Sequence, residues 1–179
     1  MSKAFTREDD RPEPDPPRRL PSALPPGAKN YLTPDGATRL RAELDALVER
    51  ERPPLAAAGT DSEASARLRA VDVRIHELKR SLDSAVIVAL PSEDIDVVRF
   101  GATVSVRTLP DGRTTRYRIV GVDEIDITQG WISWVSPIAK ALLSATVGDR
   151  VRAALPSGDK ELEILDVTYD AHADEGQGA

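Results

Sequence analysis

Two carboxylates pose the question of what this chain can do. Asp61 and Glu63 stand in the run Gly59-Thr60-Asp61-Ser62-Glu63-Ala64-Ser65, between two stretches of helical periodicity. Hard oxygen donors placed there can help hold a Mg²⁺ ion whose other ligands come from elsewhere, an arrangement suited to phosphoryl chemistry. The same residue types also suit a helix start. There a side-chain oxygen accepts from an orphan backbone N–H, and negative charge meets the positive end of the helix dipole. Few other side chains offer chemistry. His76 and His172 lie in unrelated places, so no His pair at helical spacing supports metal ligation. No serine has an evident base and no glycine-rich run resembles a phosphate cradle. The absence of cysteine removes thiol nucleophiles, disulfides and cysteine-held zinc. The chain is not expected to be an enzyme in its own right, nor to bind a cofactor of its own.

The elements that must position Asp61 and Glu63 are two amphipathic helices. Thr33-Pro34-Asp35 gives a hydroxyl cap, proline at the first helical position and a negative charge in the first turn. Ala37, Leu40, Leu44 and Leu47 then recur at spacings of three and four, with charged residues between. Leu68, Val71, Ile75, Leu78 and Leu82 repeat the pattern as a coiled-coil seam. The breaker cluster Ala58-Gly59-Thr60-Asp61-Ser62 lies between them, with Asp61 or Ser62 as the cap of the second helix. Neither stripe can be buried alone, so the two helices are expected to pack as an antiparallel hairpin with Asp61 and Glu63 at its tip. Pro53-Pro54 must then kink the first arm or break it. Arg67, Arg69, Arg74 and Arg80 form a cationic face. It either follows an RNA backbone or is a solvated face balanced by Asp72, Glu77 and Asp83.

After Pro91 the period changes to two. Strands are expected at 102–107, 115–120, 131–135, 151–155 and 161–167, with turns at Pro110-Asp111-Gly112 and Pro156-Ser157-Gly158-Asp159 and a short helix from Pro137. Trp131 and Trp134, three apart in a strand, are expected on opposite faces. The fold class is therefore α+β. A disordered leader over 1–30, which holds seven of the fourteen prolines, precedes a helical hairpin over 31–90. An antiparallel sheet module with one short helix spans 91–170, and a frayed tail follows over 171–179. A net charge of −6 argues against a generic nucleic-acid binder that relies on a basic surface. The first residues contain no apolar signal stretch, and no window reaches the roughly 18 apolar residues of a membrane span. A cytoplasmic protein without a membrane partner is expected. The short link between the helices favours a monomer over dimerisation through the seam.

The ordered motifs of the second module carry a resemblance. Phe100-Gly101-Ala102, Ile119-Val120-Gly121, Asp123-Glu124, Ser136-Pro137-Ile138-Ala139 and Val147-Gly148-Asp149 follow one another as in the C-terminal domain of the GreA/GreB transcript-cleavage factors. Leu32-Thr33-Pro34-Asp35-Gly36, Glu51-Arg52-Pro53 and Arg67-Leu68-Arg69-Ala70-Val71-Asp72 resemble the GreB branch. The resemblance implies an FKBP-like second domain that grips bacterial RNA polymerase at the mouth of its secondary channel. The contacts it implies are Asp123, Glu124, Ser136, Pro137, Ile138, Ala139 and Leu142. It also implies a hairpin inserted down the channel, with Arg67, Arg69 and Arg74 facing RNA or the channel wall. Nascent RNA and DNA are met only within the elongation complex. Asp61 and Glu63 then help the polymerase's active site hold a second Mg²⁺ for cleavage of backtracked RNA. The tip departs from the family's Gly-Asp-x-x-Glu-Asn-Ala pattern: the acids are two apart instead of three. The hairpin is shorter by about a dozen residues, which withdraws the tip by roughly 9–10 Å. Two alternatives accompany this reading. One is an Rnk-type channel occupant without cleavage activity, and the other a prolyl isomerase or chaperone of the FKBP type.

Overall fold

The computed structural model describes residues 24–59, 61–91 and 95–169. Most of the proline-rich leader, Thr60 at the tip and the last residues with His172 lie outside them. In chain order the elements are β1 (Asn30–Leu32), α1 (Pro34–Ala46), α2 (Arg52–Ala57), α3 (Ser62–Ser84), β2 (Ala85–Ile87), β3 (Thr103–Leu109) and β4 (Thr114–Val120). They continue with β5 (Trp131–Ser133), α4 (Pro137–Leu142), β6 (Arg150–Ala153) and β7 (Lys160–Thr168). The chain is α+β, with a helical hairpin followed by a five-stranded sheet.

Thr33 starts the first arm as its residue type requires: its Oγ1 accepts from the Gly36 N–H at 3.0 Å, and Pro34 takes the first helical position. Ahead of Pro53-Pro54 the arm changes pitch, and it continues as a helix without a break. Residues Leu47–Glu51 form a π-helical turn closed by the Arg52 N–H on the Leu47 carbonyl. The prolines then follow directly, at the first positions of α2. A π turn widens the helix just where a proline ring would otherwise meet the carbonyl four residues back. Leu40, Leu47, Ile75 and Leu78 close the seam, with Leu44, Val71 and Leu82 packed against them. Truncating a buried leucine such as Leu78 costs about 2–5 kcal/mol. An exposed cross-arm ion pair such as Arg52–Asp72 (2.7 Å) contributes about 0–1 kcal/mol. The apolar seam therefore holds the hairpin, and the ion pairs only trim its register.

The base of the hairpin contains a ribbon the sequence reading did not foresee. β1 and β2 pair in parallel, Asn30 opposite Ala85 through Leu32 opposite Ile87. The chain thus leaves and returns at one place, with the whole hairpin as the crossover between the two strands.

In the sheet the strand order is β5-β4-β3-β7-β6. The β3–β4, β3–β7 and β6–β7 pairs are antiparallel, as expected, but β4 and β5 are parallel. Between them residues 121–130, with two 3₁₀ turns (Val122–Glu124 and Ile127–Gln129), carry the chain back along β4 so that β5 runs in its direction. β5 is also shorter than expected, ending at Ser133, and Trp134 lies in the turn that follows. Strand alternation therefore does not govern the two tryptophans, and both rings meet residues of the N-terminal module. Val98, Val104, Val106, Ile119, Leu142, Leu162 and Ile164 form the core between the sheet and α4. Tyr169, just after β7, is tied back to residues 97–99: its hydroxyl donates to the Val97 carbonyl and accepts from the Arg99 N–H at 2.9 Å. Burial lifts its phenol above the ordinary tyrosine range.

Candidate functional site

At the tip, Gly59 takes a left-handed backbone (φ +68°) and α3 starts at Ser62 with Asp61 as its cap. Asp61 Oδ1 accepts from the Glu63 N–H at 2.9 Å. That bond uses one carboxylate oxygen and leaves the other facing solvent, and Glu63 is exposed beside it. Capping and an outward-facing donor thus coexist on Asp61. Among the described residues no three acidic or histidine side chains converge as a metal site. The tip alone offers two carboxylates, and a complete coordination shell needs ligands from another molecule. The 23 residues of α3 set this tip about 35 Å from the base of the hairpin.

The cationic face divides. Arg74 is held across the arms by Glu43, at 2.7 and 3.0 Å, and along its own helix by Glu77 at 3.5 Å. The Glu43 hydrogen bond is the main reason its guanidinium holds its proton more tightly than usual. Arg67 and Arg69 are exposed. Arg67 and Arg69 thus face water, whereas Arg74 is committed to the hairpin's own structure. His76 is exposed on the same helix.

In the sheet module Ser136 caps α4, accepting from the Ala139 N–H at 3.2 Å, and Pro137 follows at the first helical position. Ala139 and Leu142 are fully buried, and Ile138 packs half-buried against the core. The outward face of this segment carries Pro137 and Lys140. Of the residues the family motif brings to α4, Pro137 is the exposed one, while Ala139 and Leu142 set the helix onto the sheet.

Asp123 and Glu124 are adjacent in sequence and differ in environment. Asp123 is exposed, and its Oδ2 accepts from the Asn30 amide at 3.1 Å and from the Ser81 hydroxyl. Glu124 has a side chain of 0 % exposure. Its Oε2 accepts from the Thr33 and Gly121 N–H groups, each at 2.9 Å, and its Oε1 from the Thr33 hydroxyl. Arg39 approaches Oε1 at 3.8 Å. A carboxylate is an acceptor-only group, and here three donors from two modules answer it. Sequence reading treated both acids as a surface pair. Asp123 does lie at the surface, bonded to the base of the hairpin, whereas Glu124 is enclosed at the centre of the joint between hairpin and sheet.

Other residues of the joint escaped the sequence reading. Tyr31 of β1 stacks edge-on against Trp134 (5.3 Å) and tilted against Phe100 (5.8 Å). Arg39 of α1 lies 4.3 Å from the centre of the Trp131 ring, and Arg118 of β4 lies 5.1 Å from it while bonding Asp35 at 3.3 Å. Gly36 was the available signal. Glycine inside a helix costs about 0.5–1 kcal/mol relative to alanine, so its place in the first turn of α1 marks a close approach. A Cβ there would stand 1.8 Å from Glu124 Oε1.

Comparison with known proteins places these features among named relatives. Residues 92–169 match the family model described as the C-terminal part of the GreA/GreB transcription elongation factors. The chain is 42% identical over 155 aligned positions to the transcription elongation factor GreB of Neisseria meningitidis serogroup B, covering 79% of this chain and 94% of that one. It is 36% identical over 151 positions to the transcription elongation factor GreA of Rhodospirillum rubrum, covering 77% and 96%. Among solved structures, GreA factor homolog 1 of Thermus thermophilus is 25% identical, with 79% and 99% covered and a TM-score of 0.36. In the Neisseria match, 79% of 179 residues is about 141, so about fourteen of the 155 aligned positions have no residue in this chain.

Proposed function

The chain belongs to the GreA/GreB family of transcription elongation factors, and from that premise we propose that it is a polymerase-borne factor. Its sheet module, which we read as FKBP-like, docks on bacterial RNA polymerase beside the secondary channel, and its hairpin reaches down that channel. The observation that carries this reading is the 42% identity to a GreB factor across 94% of that protein's length. The geometry supplies a means. A hairpin closed by its own seam projects two exposed carboxylates on a stalk about 35 Å long. The face of α4 around Pro137 and Lys140, together with exposed Asp123, is the surface we assign to polymerase contact. Arg67 and Arg69 face the channel wall or the RNA. The factor acts as a monomer, because its apolar stripes are buried against each other.

In this reading the Mg²⁺ ion belongs to the polymerase, and the chain contributes the solvent-facing oxygen of Asp61 and the carboxylate of Glu63. Lent in trans, such donors favour hydrolysis of a phosphodiester in backtracked RNA. One observation favours a second reading, that of a channel occupant without cleavage activity. Asp61 already spends one oxygen on the α3 cap, and the tip motif departs from the family's spacing of acids. A ligand misplaced by about 1 Å loses most of its value.

The deciding experiment is transcript cleavage on purified backtracked elongation complexes, with the wild-type chain against Asp61→Ala/Glu63→Ala. Acceleration by the wild type that the double variant loses establishes cleavage stimulation. No acceleration, together with competition against an authentic cleavage factor, establishes occupancy alone.

A further inference from the structure

We propose that Glu124 is a positioning residue that fixes the direction in which the hairpin leaves the sheet. Among the described residues it is the one charged side chain in the buried set. It stands on the sheet module yet binds the backbone of both modules through a single oxygen: Thr33 N–H, at the start of α1, and Gly121 N–H, at the end of β4. Both neighbouring surfaces are shaped to let it in. A Cβ on Gly36 would fall 1.8 Å from Oε1. A Cβ on Gly121 would fall 2.2 Å from the Tyr31 carbonyl and 2.8 Å from Oε2. Two glycines and a carboxylate therefore bring the first turn of α1 into contact with the 3₁₀ turn at Val122–Glu124. Any rotation of the hairpin about its base pulls the Thr33 N–H and hydroxyl off a carboxylate that stays bonded to Gly121, and leaves a buried N–H unpaired, which is costly. The apolar clusters of hairpin and sheet are separate and do not include Glu124, so the clasp governs orientation without building either core.

For function, the clasp sets the aim of the tip. An angular error at the base is multiplied along the stalk, and the chemistry proposed for Asp61 and Glu63 tolerates little displacement. This consequence rests on the channel reading above, whereas the clasp itself rests on geometry alone.

The chain has no cysteine, so exposed Ala66→Cys and Arg113→Cys provide the two sites for spin labels. Pulsed electron-electron distance measurement on the full chain reads hairpin against sheet directly. The parent is expected to give one narrow distance peak, and Glu124→Ala to lose it for a broad distribution while keeping the parent's far-ultraviolet circular dichroism. Glu124→Gln should retain the narrow peak. Its carbonyl oxygen can accept both N–H groups, and its amide can donate to the Thr33 hydroxyl oxygen. Gly36→Ala should broaden the distribution although Glu124 is intact. If Glu124→Ala does not fold, Gly36→Ala against Glu124→Gln decides the matter. A parent-like narrow peak in Glu124→Ala, or in Gly36→Ala, overturns the proposal.

A parallel binding assay with core polymerase keeps the two readings apart. Retained binding by Glu124→Ala, with loss of the hairpin-dependent effect, supports the aiming role. Wild-type protein that does not bind polymerase defeats the channel reading, while the distance data still decide the clasp.

Discussion

At the base of the hairpin a carboxylate is enclosed and meets three donors. At the tip, about 35 Å along α3, two carboxylates face water and one N–H. The same functional group serves structure at one end and is left available at the other. What differs is the supply of donors. The base brings Thr33, Gly121 and Arg39 within reach through two glycines, so the carboxylate is satisfied and closed to any partner. Among the described residues the tip supplies one donor, the Glu63 N–H that caps on Asp61, and both acids are exposed. An acidic pair that is legible as chemistry in a sequence is chemistry only where the fold leaves its donors unfilled.

The contrast can be broken most forcefully at the base. Glu124→Ala strands the Thr33 and Gly121 N–H groups, each costing about 1–3 kcal/mol, so a loss of about 3 kcal/mol in urea denaturation is expected. A loss below about 0.5 kcal/mol, the range of ordinary surface substitutions, shows that water takes over both groups and removes the distinction between the two ends.

Asp61→Ala, at the tip, removes only the α3 cap, for about 1 kcal/mol, and Glu63→Ala stays within about 0.5 kcal/mol. The check is the same denaturation series. A cost at Glu63 approaching that at Glu124 means the tip is built rather than left open.

The smallest effect lies in the loops of the sheet module. The Thr128 hydroxyl, at 2.5 Å, and then backbone N–H groups hold the Asp126 carboxyl below its ordinary value of 3.8. The Thr146 N–H and hydroxyl do the same for Asp149. A carboxylate whose folded pKa is depressed contributes stability that is fully present above its unfolded pKa and lost as pH falls through the folded one. Both loops should therefore loosen below about pH 4, with Asp126 and Asp149 protonating at lower pH than model carboxylates in a carbon-13 NMR titration. Ordinary titration midpoints at both residues refute the bonding described for these turns.

How much of this was legible in the sequence follows from how local each signal is. Thr33-Pro34 and the leucine seams announce themselves within one or two helical turns. The cap stands as read, and the seams do apart from Leu68, which lies outside the hairpin's apolar cluster. Pro53-Pro54 announced a disturbance but not its form, since a π turn leaves no signature apart from the prolines it accommodates. The β1–β2 ribbon was invisible because strands of three residues have too few alternations to show a period. Their partner strand also lies a whole hairpin away. The tryptophan pair misled because alternation was extended past Ser133, where the strand ends. Glu124 was read as surface because charged residues are rarely enclosed. What reverses that default is Gly36, a residue more than eighty positions earlier whose missing side chain makes the space. Long-range vacancies of this kind carry no periodicity and become visible only when both sides are in place.

The parallel ribbon at the base has a consequence for how such a protein can vary. Because β1 and β2 hold the two ends of the excursion side by side, equal numbers of residues can be removed from or added to both arms without disturbing the anchorage. Each helical turn taken from both arms shortens the reach by about 5.4 Å and leaves every contact of Glu124 in place. Reach is therefore an independently adjustable quantity in this architecture, and two chains with the same grip can carry probes of different lengths to different depths.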